Sequence, residues 1–134
     1  MKPRIFLIAL LFVSAPALAN DLSAVFQTTS TTPLENPHDL KLSPDGKYLF
    51  VSDLGNNRVV LLDPETLSFV STFGADHQSG THDVDFDAQG QAYVADTHNN
   101  RVTIYRMDKT RATLTGELKG RVRGPEGVLV HSNG

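Results

Sequence analysis

Val94-Ala95-Asp96-Thr97-His98-Asn99-Asn100-Arg101-Val102 is the stretch that decides the fold. It reads as the end of a strand, a tight polar turn and the start of the next strand. It is also a second copy. Forty-three residues earlier the chain runs Val51-Ser52-Asp53-Leu54-Gly55-Asn56-Asn57-Arg58-Val59, with Asp, both Asn, Arg and Val in matching slots. A self-match at a fixed period outranks local propensity, because it exposes the unit from which the whole fold is repeated.

Working outward, each copy sits inside the same cycle of short strands. The first cycle predicts strands at His38–Leu42, Tyr48–Ser52, Arg58–Leu62 and Leu67–Phe73. The turn Ser43-Pro44-Asp45-Gly46 puts Pro where φ near −65° suits and Gly where positive φ is needed. The second predicts His82–Phe86, Ala92–Ala95, Arg101–Tyr105 and Ala112–Leu118. Pro37-His38-Asp39-Leu40, Thr81-His82-Asp83-Val84 and Pro125-Glu126-Gly127-Val128 recur every 44 residues, so a third cycle opens at Pro125. No segment beyond residue 19 shows helical period. Runs of five or six β-prone residues with a turn every eight to twelve point to an all-β array, and four strands in a unit of about 40–45 residues make one propeller blade. The expected fold is a partial β-propeller: two four-stranded antiparallel blades plus the first strand of a third. The expected boundaries are a leader at 1–19, an outer strand and linker at 20–36, blade one at 37–80, blade two at 81–124, and a cut-short third blade at 125–134.

Pro-x-x-Val/Leu, a Gly turn, Tyr/Phe-Val-x-Asp and then Asn-Asn-Arg-Val resemble the NHL repeat. The first cycle, with Ser43-Pro44-Asp45-Gly46-Lys47 and Leu62-Asp63-Pro64-Glu65-Thr66, is also similar to the YVTN-type repeats of surface and periplasmic propellers. The resemblance covers residues 37–134 and implies a ring usually of six blades, where closed propellers generally have four to eight. Two blades and a strand fall short of that. The chain therefore reads as the N-terminal part of a longer protein or as a truncated product, with the remaining blades expected from a longer chain. Leu22–Thr28 resembles Leu67–Phe73 and is expected to supply the outer strand of a last blade.

At the N-terminus, Lys2 and Arg4 precede the apolar run Ile5–Val13, and Ala17-Leu18-Ala19 gives a small-x-small cleavage pattern. This is a secretory signal with cleavage expected after Ala19, since nine apolar residues are too few to span a bilayer. A periplasmic or secreted location follows. Loss of Lys2 and Arg4 moves the formal charge from −3 to −5, which argues against nucleic acid or an anionic membrane as partner. There are no cysteines, so disulfides, thiol chemistry and Cys-based metal sites are excluded.

Antiparallel topology brings the start of the first strand, the end of the second and the start of the third to one end of each blade. His38, Asp39, Asp53, Asn57 and Arg58 therefore share a rim, as do His82, Asp83, Asp96, Asn100 and Arg101. Asp53, Arg58, Asp96 and Arg101, with Asp39 and Asp83, form a candidate binding rim. The Asp/Asn/Arg set also has a blade-building explanation, because Asx side chains accept from turn amides and an Arg fork bridges Asp and loop carbonyls. His38, His82 and Glu126 share one register slot on the innermost strands. They are the candidate ligands for a divalent metal, Zn or Ca. That placement looks like the arrangement in peptidyl-hydroxyglycine amidating lyases, propellers that hold a metal with inner-strand histidines; Glu126 departs from a three-His set. Strand parity offers an alternative. It groups His38 with Leu40 and Leu42, and His82 with Val84 and Phe86, so the rings could instead point between blades. No G-x-S-x-G, P-loop, Rossmann or H-E-x-x-H pattern is present. The functional expectation is a module binding a small-molecule or protein ligand at the channel mouth, with two alternatives: a metal-dependent lyase or hydrolase, and an inactive truncated fragment. The same blade carries scaffolds, hydrolases and lyases, so fold alone does not choose between them.

Overall fold

A computed structural model of the protein describes residues 25–131. The leader, its cleavage point after Ala19 and residues 22–24 of the proposed outer strand lie outside the described residues. Eight strands form in chain order: β1 (Pro37–Leu42), β2 (Leu49–Asp53), β3 (Arg58–Leu62), β4 (Phe69–Phe73), β5 (Thr81–Phe86), β6 (Ala92–Asp96), β7 (Arg101–Asp108) and β8 (Arg111–Leu118). They make two antiparallel sheets, β1-β2-β3-β4 and β5-β6-β7-β8, each a simple meander. β1 lies against β5, whereas β4 and β8 touch only marginally, so the sheets fan apart from their first strands. That is the wedge shape of neighbouring propeller blades.

The sheets are held face to face by one apolar cluster. Phe50, Val59 and Leu61 of the first sheet meet Val84, Ala92, Val94 and Tyr105 of the second, all buried. Phe50 and Phe86 meet edge to face at 4.8 Å between ring centroids, and Phe73 and Tyr105 do so at 4.7 Å. Burying one such ring is worth about 1.5–3 kcal/mol. Alternation sends Val51, Val60 and Leu62 to the other face of the first sheet, where Leu34 packs on them.

Each β2–β3 and β6–β7 connection is a single 3₁₀ turn, Leu54–Asn56 and Thr97–Asn99, closed by a left-handed Asn at φ 54° (Asn57, Asn100). Asn tolerates that region because its short side chain bonds locally. The β7–β8 hairpin is tighter than the sequence pattern indicated. Asp108 pairs with Arg111 across Lys109-Thr110, with Lys109 at φ 54°.

Two expected strands do not form among the described residues. Residues 25–28 pair with nothing, and residues 125–131 run beside β5 without a ladder. Adjacent inner strands in this fold meet through side chains, and a ladder needs the second strand of the same blade. Side chains make the join: Asp83 Oδ2 accepts Val128 N–H and Asp85 Oδ2 accepts Val130 N–H, both at 2.7 Å.

Candidate functional site

Strand register sets the ends of these strands side by side. Pro37 pairs with Asp53 and Asp53 with Arg58, while Thr81 pairs with Asp96 and Asp96 with Arg101. The same register shows what parity missed. From Pro37↔Asp53 to Leu40↔Val51, β1 advances three residues and β2 only two, so His38 and Asp39 together oppose Ser52. His82 and Asp83 likewise oppose Ala95. This is a β-bulge, repeated in both sheets at the His-Asp pair, and bulges re-aim side chains at strand ends. His38 therefore does not inherit the orientation of Leu40 and Leu42, nor His82 that of Val84 and Phe86.

The bulges bring the two imidazoles together. The rings of His38 and His82 lie 4.3 Å apart, edge to face at 66°. Nδ1 of His82 is 2.6 Å from Thr97 Oγ1 and 3.3 Å from the Gly80 carbonyl. Thr97 Oγ1 donates in turn to the Pro125 carbonyl at 2.6 Å. Asp39 and Asp83 each turn Oδ1 onto the next backbone N–H, of Leu40 and Val84, at 2.7 Å. Asp83 then spends Oδ2 on Val128, leaving Asp39 the less committed of the pair. Below them Lys41 meets Asp85 at 2.8 Å across the two sheets. Burial pushes the Asp85 carboxyl up, but Lys41 and the Val130 amide outweigh it and hold it below its ordinary value.

The other rim residues are consumed by the turn. Asp53 is fully buried and accepts Glu35 N–H (2.6 Å), Asn56 Nδ2 (2.9 Å) and Arg58 Nε (2.7 Å). Asp96, also buried, accepts Ser79 N–H (2.7 Å), Asn99 Nδ2 (3.0 Å) and Arg101 Nε (2.6 Å). The Arg forks continue to the Pro33 and His77 carbonyls. Each latch pins the segment entering its own blade. Asn57 Oδ1 accepts Gly80 N–H at 2.7 Å and Asn100 Oδ1 accepts Gly124 N–H at 3.0 Å, which ties each turn to the next blade as well. Asp53, Arg58, Asp96 and Arg101 are thus at the rim, with their polar groups already matched. Among the described residues, no three His, Asp or Glu side chains gather as a cation-binding group. Glu126 does not join His38 and His82.

Sequence reasoning missed two polar features. His77 bridges Asp76 Oδ1 through Nδ1 and Tyr105 Oη through Nε2, both at 2.6 Å. Gln78 joins Tyr105, Thr103 and Thr81. This network seals the link between the sheets, and burial raises the Tyr105 phenol above its ordinary value. Its trace in the sequence is Asp76-His77-Gln78, which has no counterpart in the first cycle. The second is Ser52, whose buried hydroxyl finds no partner among the described residues, where the second sheet has Ala95. A cleft of about 270 Å³ opens at the opposite end of the strands, between Ser43–Asp45 and Gln89–Gly90, floored by Phe50, Phe86 and Met107. It is a crevice between turns whose one carboxylate, Asp45, is already engaged by Ser43 and Lys47, whereas the two facing imidazoles are at the His rim.

Residues 13–118 match the family model described as Lactonase, 7-bladed beta-propeller. The chain belongs to this lactonase family. Two solved structures share its fold. The periplasmic gluconolactonase PpgL of Pseudomonas aeruginosa aligns with a TM-score of 0.60 at 21% identity, over 68% of this chain and 27% of that one. A candidate 6-phosphogluconolactonase from Bacteroides uniformis aligns at 0.55 and 23% identity, over 70% and 31%. No curated protein matches. The chain thus spans less than a third of either solved relative. The propeller is established and the NHL assignment gains no support, since the Asn-Asn-Arg-Val turn is shared by a lactonase-family chain. A seven-bladed family replaces the ring of six that the resemblance implied.

Proposed function

We propose that this lactonase-family chain supplies two adjacent blades of a periplasmic lactone hydrolase, with the His38/His82 rim facing the channel where the ring-ester binds. The family match over residues 13–118 carries this reading. Three features support it: a leader-type N-terminus, the similarity to a periplasmic gluconolactonase, and two imidazoles brought to 4.3 Å by a bulge that both sheets repeat. The substrate class is a small, hydroxylated lactone, which polar rim side chains recognise and whose ester opens by attack of water. Further blades cover the exposed flank of β1, where Leu40 and Leu42 are 63% and 52% accessible. A channel-mouth binding module remains the broader form of the same proposal. Among the described residues, no third ligand gathers beside His38 and His82 for the metal-dependent variant.

The test is imidazole-resolved NMR of the whole chain titrated with D-glucono-1,5-lactone and with gluconate. His38 and His82 resonances should shift saturably while His98 and His131 stay still. Unmoved His38 and His82, or equal shifts at all five histidines, would remove the proposal.

A further inference from the structure

The hydrogen bonds around His82 fix which of its nitrogens can act as a base. Thr97 Oγ1 carries one proton and has two close partners, His82 Nδ1 and the Pro125 carbonyl oxygen, each at 2.6 Å. The carbonyl only accepts, so the Thr97 proton goes to it. The Thr97 oxygen must then accept from His82, which places a proton on Nδ1. A second carbonyl, that of Gly80, lies 3.3 Å from the same nitrogen and also only accepts. Both partners demand the same proton, and in the neutral ring the lone pair is left on Nε2. No hydrogen bond to Nε2 forms among the described residues.

We infer that Thr97 is a positioning residue that holds His82 in the Nδ1–H form, making Nε2 the general base for opening the lactone. The inference rests on the lactone-hydrolase reading. As the water oxygen bonds to the carbonyl carbon, its proton passes to Nε2 and the carbonyl π pair moves onto oxygen. When the tetrahedral intermediate collapses, the ring C–O bond breaks and the departing alkoxide takes that proton back. The products are the hydroxy acid and neutral His82, with nothing else consumed. Throughout, Nδ1–H keeps donating to Thr97 Oγ1, so the passing imidazolium meets an oxygen already oriented toward it. An orienting acceptor behind an imidazole is how such bases are held in other sites.

The repeat itself sets Thr97 apart from blade building. Around it Asp96, Asn99, Asn100 and Arg101 copy Asp53, Asn56, Asn57 and Arg58, but the slot of Thr97 in the first sheet holds Leu54. Leu54 can accept no imidazole proton. Of the two rim histidines, His82 alone has this support. His38 forms no hydrogen bond among the described residues and stands as the ring beside it.

The test reads the tautomer in the ligand-free chain by long-range ¹H–¹⁵N correlation, at a pH where His82 is neutral. The expected pattern is a protonated, pyrrole-type Nδ1 and a pyridine-type Nε2. Thr97→Val, nearly isosteric, should lower the Nδ1–H to Nε2–H ratio by about fivefold, the worth of roughly one hydrogen bond, and Thr97→Ser should restore it. A wild-type His82 protonated on Nε2 overturns the inference, as does a Thr97→Val ratio equal to wild type. Because no lactone is present, this outcome is separate from the gluconolactone titration. A correct tautomer with an unresponsive rim would sink the lactone reading and leave the positioning of His82 standing.

Discussion

Replacing Asp96 with Ala tests the latch on which the second sheet depends. The carboxylate is fully buried and accepts from Ser79 N–H, Asn99 Nδ2 and Arg101 Nε at 2.6–3.0 Å. Hydrogen bonds to a charged group contribute about 1.5–3 kcal/mol each, and removing one member of a buried pair costs about 3–5 kcal/mol. The simple sum is too large. Asn99 is exposed and water can replace its lost acceptor, and Arg101 keeps Glu117 at 2.8 Å and the His77 carbonyl at 2.7 Å. What no solvent repairs is the part-buried Ser79 N–H and the Arg101 Nε beneath it, so the loss should be about 3 kcal/mol. With a urea slope of roughly 2 kcal/mol/M, the midpoint should fall by about 1.5 M. The assay is urea unfolding of the whole chain followed by far-UV circular dichroism, with Asp39→Ala as a control at the same rim, where about 0.5 kcal/mol or less is expected. Arg101→Met and the double variant complete a cycle whose coupling should exceed about 1 kcal/mol. A loss below about 1 kcal/mol for Asp96→Ala, or simple additivity with Arg101→Met, would refute the latch argument.

Other outcomes follow from the same contacts. Asn57→Gly removes the bond to Gly80 N–H but keeps an easy left-handed turn, and should cost about 1 kcal/mol in thermal melts; Asn57→Ala adds the strain of φ 54° and should cost about 1–2 kcal/mol more. Gly55→Ala would put a methyl carbon 2.7 Å from the Glu35 carbonyl oxygen, so it should destabilise more than Gly116→Ala, whose added methyl meets only Ile104 at 3.7 Å; equal losses would contradict the geometry. Ser52→Ala should leave stability unchanged or raise it by about 1 kcal/mol, because the hydroxyl is buried without a partner; a clear loss on chemical unfolding would show a bond the structure lacks. Hydrogen bonds from Ser43, then Lys47, hold the Asp45 carboxyl at about 2. A depressed value stabilises the fold above the unfolded pKa near 3.8 and loses that contribution as pH falls through about 2. NMR titration of Ser43→Ala should therefore find Asp45 moved back toward 3.8, and an unmoved Asp45 would discount the Ser43 bond.

The repeat made the strands, turns and common rim legible before any coordinates, because a period of 43–44 residues constrains all of them at once. The latch was legible too, since buried Asp beside Asn and Arg in a turn has few other ways to be satisfied. The bulge was not. Parity along a strand assumes one residue per step, and the extra residue at His38-Asp39 and His82-Asp83 leaves no mark in composition. The interblade reach of Asn57 and Asn100 was hidden because sequence shows a residue's turn but not what the turn faces. The family's blade number was not legible for a related reason: the Asn-Asn-Arg-Val turn lies at the rim and carries no information about how many sheets pack around the axis. The one visible sign of Thr97 was a mismatch with Leu54 inside an otherwise faithful copy.

The paired bulges make chemistry and architecture separable. Since the kink is encoded by spacing, the two neighbouring side chains it presents can be exchanged while the latches and the sheet-to-sheet cluster stay as they are. The corresponding positions hold His-Asp, His-Asp and Glu-Gly in turn. New specificity in such a molecule would come from rewriting dipeptides at a fixed address, with the backbone left alone.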